Sequence, residues 1–208
     1  MNNSIYDKKI REEFARQLLL IVNPVKYEES YLSDRPDIKN DALSIGVEVT
    51  SSIASEVHRF ISRGRKFYKK SIVTSETNYI SQNKIKYRRD NKNPVRSRWD
   101  SLSDIVKAYN RKYKSMQKEG YDIFEENNVF INAELASKSD IRDFIDFIGN
   151  RKITRKDFDY VYIYTRLFQM NLVFEIKLKP KHIKYLEITD EEIANTIKKT
   201  KDNVDNLF

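Results

Sequence analysis

The chain has 208 residues, no cysteine and two histidines, and its 39 Lys and Arg against 31 Asp and Glu leave a net charge of +8. The missing cysteine removes disulfides and thiolate zinc sites, and the wide spacing of His58 and His182 argues against a histidine-rich metal centre or a Ser–His relay. No apolar run approaches the ~18 residues of a membrane span, and Met1-Asn2-Asn3-Ser4 opens no signal-peptide segment, so the expectation is a cytoplasmic protein with no membrane partner.

Ile10, Phe14, Leu18 and Ile21 recur at helical spacing, which predicts a helix from Ile5 to Val22 that Pro24 ends. Glu12 and Glu13 lie in its first half, and Glu28 and Glu29 follow it. Beyond Arg35-Pro36-Asp37-Ile38 the chain alternates. Leu43, Ile45, Val47 and Val49 share one face, and Ser44, Gly46, Glu48 and Thr50 share the other, as on a half-buried strand. Pro36 opens a strand or sits at an edge, which puts Asp37 where a strand begins. A hairpin through Lys39-Asn40-Asp41-Ala42 brings Asp37 beside Glu48. Two carboxylates at that distance repel unless a cation lies between them, and hard oxygen ligands favour Mg²⁺ or Mn²⁺.

A helix is expected over 51–68, with Ser51 or Ser52 as its cap and Ile53, Val57, Phe60 and Ile61 inward. Residues 69–100 form a polar, basic insertion in which Tyr79, Tyr87 and Trp99 are interleaved with lysine and arginine. From Arg59 to Lys118 there are 18 basic residues and four acidic ones, while the remainder of the chain is net negative. Such concentration of charge points to a polyanion, and aromatic interleaving suits a backbone-tracking, base-stacking surface. Leu102, Ile105, Val106, Tyr109, Tyr113 and Met116 trace one face of a helix over 102–118 that Gly120 closes. A central strand is expected over 127–135. A helix capped by Ser137 or Ser139 follows and ends near Gly149. A hairpin is expected over 158–179, and a short helix over 190–199 with a frayed end.

Pro36-Asp37, a short spacer, and Glu48-Val49-Thr50 at the end of an apolar strand resemble the PD-(D/E)xK nuclease superfamily. The resemblance implies an α/β chain with the restriction-endonuclease-like fold, a mixed β-sheet flanked by helices, as one nuclease-like domain over 1–208 with 69–100 inserted. It implies a nuclease in which Asp37 and Glu48 hold Mg²⁺ or Mn²⁺ and a carboxylate of the first helix, Glu13 or its neighbour Glu12, completes the catalytic set. The family's lysine two residues after the glutamate is replaced here by Thr50. In some members a neighbouring helix supplies that lysine, and Lys107 is the first candidate with Lys112 the second. The partner implied is nucleic acid, with DNA favoured over RNA, contacted by Arg63, Arg65, Lys66, Lys84, Lys86, Arg88, Arg89 and Lys112. A homodimer is an arrangement the resemblance allows.

A second acidic pair can be drawn from Asp159 and Glu175-Ile176-Lys177, although no proline precedes Asp159 and alternating Glu and Lys also make an ordinary solvated face. Thr50 also admits a catalytically inactive nuclease-like fold that binds nucleic acid or inhibits a nucleic-acid enzyme. An interaction protein whose basic third meets an acidic partner is the third reading.

Overall fold

Side-chain alternation decides how the central strands of this protein sit between helices. The computed structural model describes residues 3–52, 101–133, 136–151, 156–167 and 170–207. The chain divides into two units, and these residues all belong to the one made of Met1–Ser52 and Asp100–Phe208. The predicted helix over 51–68, the insertion over 69–100 and the nucleic-acid contacts Arg63, Arg65, Lys66, Lys84, Lys86, Arg88 and Arg89 lie outside the described residues, except that Ser51 ends a strand.

Among the described residues, helices α1 (Asn3–Val22) and α2 (Pro24–Tyr27) precede strands β1 (Tyr31–Leu32), β2 (Ile38–Asn40) and β3 (Ile45–Ser51). Helix α3 (Leu102–Met116), β4 (Glu126–Asn132), α4 (Lys138–Gly149), β5 (Tyr160–Leu167), β6 (Met170–Leu178), β7 (Lys181–Ile188) and α5 (Asp190–Asp205) follow. The strands form one mixed sheet in sequence order. β3, β4 and β5 run parallel at its centre, and antiparallel pairs flank them. The observed architecture is therefore α/β, a mixed sheet flanked by helices.

The two faces of the sheet bury different sets of residues. Ile45 and Val47 of β3, Phe130 of β4 and Tyr162 of β5 pack with Ala15, Leu18 and Leu19 of α1. Val129, Ile131, Val161, Ile163 and Ile176 point the other way, onto Ile105 and Tyr109 of α3 and Ile141 and Phe144 of α4. Each fully buried Val, Leu, Ile or Phe among them contributes roughly 1.5–3 kcal/mol relative to exposure. The helix starts are fixed locally. Ser101 and Asp104 open α3, with the Asp104 carboxylate accepting from the Ser101 amide at 3.3 Å and hydroxyl at 2.8 Å. Ser137 accepts from the Asp140 amide at 3.2 Å at the head of α4, which selects Ser137 over Ser139 as its cap. Among the described residues no helix is long and apolar enough to cross a membrane.

Two elements depart from the sequence expectation. The last helix runs to Asp205 instead of stopping near Lys199, because Thr196, Thr200 and Val204 bury a stripe of small, partly polar side chains that carries little hydrophobic signal. β7 extends the expected hairpin to three strands, yet all but its last residue is exposed, so no alternation marked it.

Gly46 carries the geometry from fold to site. A Cβ there would stand 2.7 Å from Pro36 Cγ and 2.8 Å from Phe124 Cδ2, so only glycine lets the ring of Pro36 cross β3 and set Asp37 beside it. Gly46→Ala is expected to lower stability by about 1–3 kcal/mol, measured by urea denaturation. Leu43→Ala, in an exposed turn, should change it by less than ~0.5 kcal/mol.

Candidate active site

The antiparallel register sets Ile38 against Val47, which places Asp37, one residue before β2, level with the second half of β3. Its Oδ2 accepts from the Val49 amide at 2.8 Å, so the backbone of β3 itself holds the aspartate. Glu48 points from β3 to the face covered by α3. The two carboxylates are brought together as the hairpin predicted, and both are buried. Between them lies a cation: Lys112 of α3 donates to Asp37 Oδ2 at 2.8 Å and to Glu48 Oε2. Tyr121 donates its hydroxyl to the other Glu48 oxygen at 2.5 Å.

The electrostatics follow from burial and this one ammonium. Burial pushes the Asp37 carboxyl up, but the Lys112 charge and hydrogen bond, with the Val49 amide, outweigh it and hold the group below its usual value. Burial pulls Lys112 down, and Asp37 and then Glu48 more than restore it, so the ammonium stays charged. Burial first, and then the Glu48 charge, push the Tyr121 phenol up, which keeps it a neutral donor.

Of the two helical carboxylates that the resemblance admitted, Glu13 and Glu12, it is Glu12 that the first helix brings to this neighbourhood. Burial and the charge of Asp37 raise the Glu12 carboxyl above its usual value. Lys8 and Lys9 pair with it at 3.2 and 3.0 Å and pull the other way. Lys8 also lies 3.7 Å from Asp37 Oδ1. Glu13 faces α5 and is fully engaged there. It accepts from Arg16 twice at 2.8 Å, from Gln17 at 2.8 Å and from Asn203 at 2.7 Å. Glu13 is thus a helix-packing carboxylate, because one residue of helix rotates a side chain by about 100°. Glu28 and Glu29 are exposed.

Lys107 does not replace the motif lysine. Its side chain is 74% exposed and pairs with Asp104 at 3.7 Å on the outer face of α3. Lys112, also expected to meet nucleic acid, is instead 19% exposed and committed to the carboxylates. Thr50, in the place of the motif lysine, accepts a hydrogen bond from Arg111 Nη2, which also donates to the Ser51 carbonyl at 3.3 Å. Sequence reasoning passed over Arg111, Tyr121 and Lys8. Tyr121 is distant from the motif in the chain and belongs to no periodic segment.

The second acidic pair is not assembled. Asp159 accepts from the Asn127 amide at 2.8 Å and sits level with Leu178. Glu175 lies three residues further along β6, about 10 Å away, and pairs with Lys184 of β7 at 3.1 Å. Lys177 rests 5.5 Å from the ring centre of Tyr160. Among the described residues no group of three or more His, Asp or Glu side chains is gathered closely enough to cage a metal.

Arg16, Asn203 and Gln17 overcome burial and lower the Glu13 carboxyl below its usual value of 4.5. Its stabilising effect is therefore present above the unfolded-state value and is lost as pH falls through the lower folded value. Glu13→Gln should cost about 1–3 kcal/mol near neutral pH. The difference from wild type should close under acid conditions, as read from denaturation midpoints across a pH series.

Comparison with protein-family models, with curated proteins and with solved structures returned no match to this chain.

Proposed function

We propose that the chain is a metal-dependent nuclease of restriction-endonuclease-like fold that hydrolyses phosphodiesters, with DNA the favoured substrate. The observation that carries this reading is the meeting of Asp37, Glu48 and Lys112, from the edge of β2, from β3 and from α3, around one buried charge cluster. It supplies the lysine that the strand itself lacks, from a helix. The α/β sheet, with an acidic pair near the end of a parallel strand, supports the same reading.

Asp37 and Glu48 fit a hard divalent ion on their own chemistry. Both are carboxylates, both are buried, and their facing oxygens already share a cation, the Lys112 ammonium. Magnesium typically binds through one or two carboxylates and keeps several waters, so a two-carboxylate set suffices. Asp37 and Glu48 would hold the ion, and Mg²⁺ or Mn²⁺ bound there polarises the phosphate and acidifies an attacking water. The chain's own groups do the rest. Tyr121 fixes the orientation of Glu48, and the Val49 amide fixes that of Asp37. Lys112 keeps a positive charge beside the reacting phosphorus, where negative charge grows as the bond to water forms. Burial lowers the Lys112 pKa, and Asp37 and then Glu48 raise it above its usual value, which favours the ammonium form.

One observation favours a second reading. Lys112 bridges both acids, as it would in a catalytically inactive fold that only binds nucleic acid. Purified protein incubated with plasmid, linear and branched DNA and with RNA, in Mg²⁺ or Mn²⁺ and in chelator, separates the two. Metal-dependent cleavage should fall on the order of 10²-fold or more in Asp37→Asn, Glu48→Gln and Lys112→Met. Cleavage that persists in chelator, or that ignores all three substitutions, refutes the assignment of this site. Salt-sensitive binding without any cleavage establishes the second reading.

A further inference from the structure

We propose that Arg111 grips a phosphate of the substrate strand and that Thr50 is the positioning residue that holds it there. The inference rests on reading Asp37, Glu48 and Lys112 as a phosphodiester site. Thr50 stands two residues beyond Glu48 on the same face of β3, about 7 Å along the strand. A lysine at that position would aim its charge at the carboxylates. Here the side chain is short, buried and β-branched, which leaves it little rotamer freedom. Its hydroxyl oxygen receives Arg111 Nη2, and the Ser51 carbonyl receives the same nitrogen at 3.3 Å.

Both bonds use one nitrogen of the guanidinium. Nε and Nη1 keep their donors, the side chain is exposed, and among the described residues no carboxylate pairs with it. A guanidinium anchored at one corner with the rest of its fork free is preorganised for an anion with two adjacent oxygens. Phosphate matches it, and the charge does not titrate. Arg111 also directly precedes Lys112 on α3. The helix therefore presents two cations with separate tasks. Lys112 sits among the carboxylates, and Arg111 sits at the end of β3, open to solvent.

The test uses the full chain, a fluorescently labelled DNA duplex and single-stranded DNA, with binding read by anisotropy across a salt series and cleavage read as kcat and KM in Mg²⁺. Arg111→Ala should weaken binding and raise KM roughly tenfold, and reduce the salt slope of log K by about 1, with kcat changing less. Arg111→Lys should restore the slope but not the full affinity. Thr50→Val should raise KM with the guanidinium still present, and Thr50→Ser should recover it. Equal salt slopes and KM in wild type and Arg111→Ala overturn the proposal while leaving the cleavage reading intact. If wild type binds DNA without cutting it and Arg111→Ala still loses that slope, the proposal stands and only the hydrolytic reading falls. If wild type binds neither DNA, both fall.

Discussion

Two carboxylates cannot be packed side by side against a sheet unless something positive lies between them. At 4 Å, the repulsion of two unit charges is about 4 kcal/mol even at an effective dielectric of 20. Lys112 removes that repulsion for Asp37 and Glu48, and the surrounding structure serves to bring it there. β2 and β3 supply the acids through their antiparallel register. The link between the parallel strands β3 and β4 includes α3, which lies over the face that bears Glu48. Ile105, Ala108, Tyr109 and Met116 seat that helix, and Lys112 arrives among them.

That placement was legible in the sequence, where Lys112 stands second to Lys107 as the candidate lysine. Lys112 lies one turn after Ala108 and Tyr109 and one turn before Met116, so it belongs to the buried stripe of α3. A lysine on an apolar stripe needs a buried anion, and Asp37 and Glu48 supply it. Lys107 lies off that stripe and meets solvent. On α1 the distinction was harder. Glu12 and Glu13 are both buried, because the sheet edge covers one side of the helix and α5 covers the other. Nothing local in the sequence told which acid faced which neighbour. The extent of α5 was obscured by the same physics: Thr196 and Thr200 bury methyl groups under a polar label. β3 was the opposite case, since Ile45 and Val47 against Glu48 and Thr50 give an unambiguous alternation.

The polar groups at the far end of the sheet show what a purely structural network looks like in this protein. Lys26 pairs with Glu126 at 2.7 Å and covers the Tyr160 ring at 3.9 Å. Asn128 donates to the Tyr27 hydroxyl at 3.1 Å and to Glu126 at 2.7 Å, and Tyr27 meets Tyr162 at 3.2 Å. Lys26 has its own carboxylate there, and the neutral hydroxyls fill the interior. Around Asp37 the acids share their cations: Lys112 lies between Asp37 and Glu48, Lys8 approaches both Asp37 and Glu12, and burial with the charge of Asp37 raises the Glu12 carboxyl.

Stability alone does not account for that difference. Taking charges out of water costs several kcal/mol per ion, and well-packed apolar side chains of similar volume often hold such a junction as well or better. β2 and β3 already meet through Ile38 and Val47 on one face of the sheet, and Ile105 seats α3 on the other, so the fold has apolar packing on both sides of the triad. What apolar residues cannot supply is a pair of oxygen ligands and a fixed positive charge at the end of a parallel strand. The Val49 amide orients Asp37, the Tyr121 hydroxyl orients Glu48 and Lys112 lies between the two acids, so the junction is a preorganised set of charges that an apolar contact would not provide.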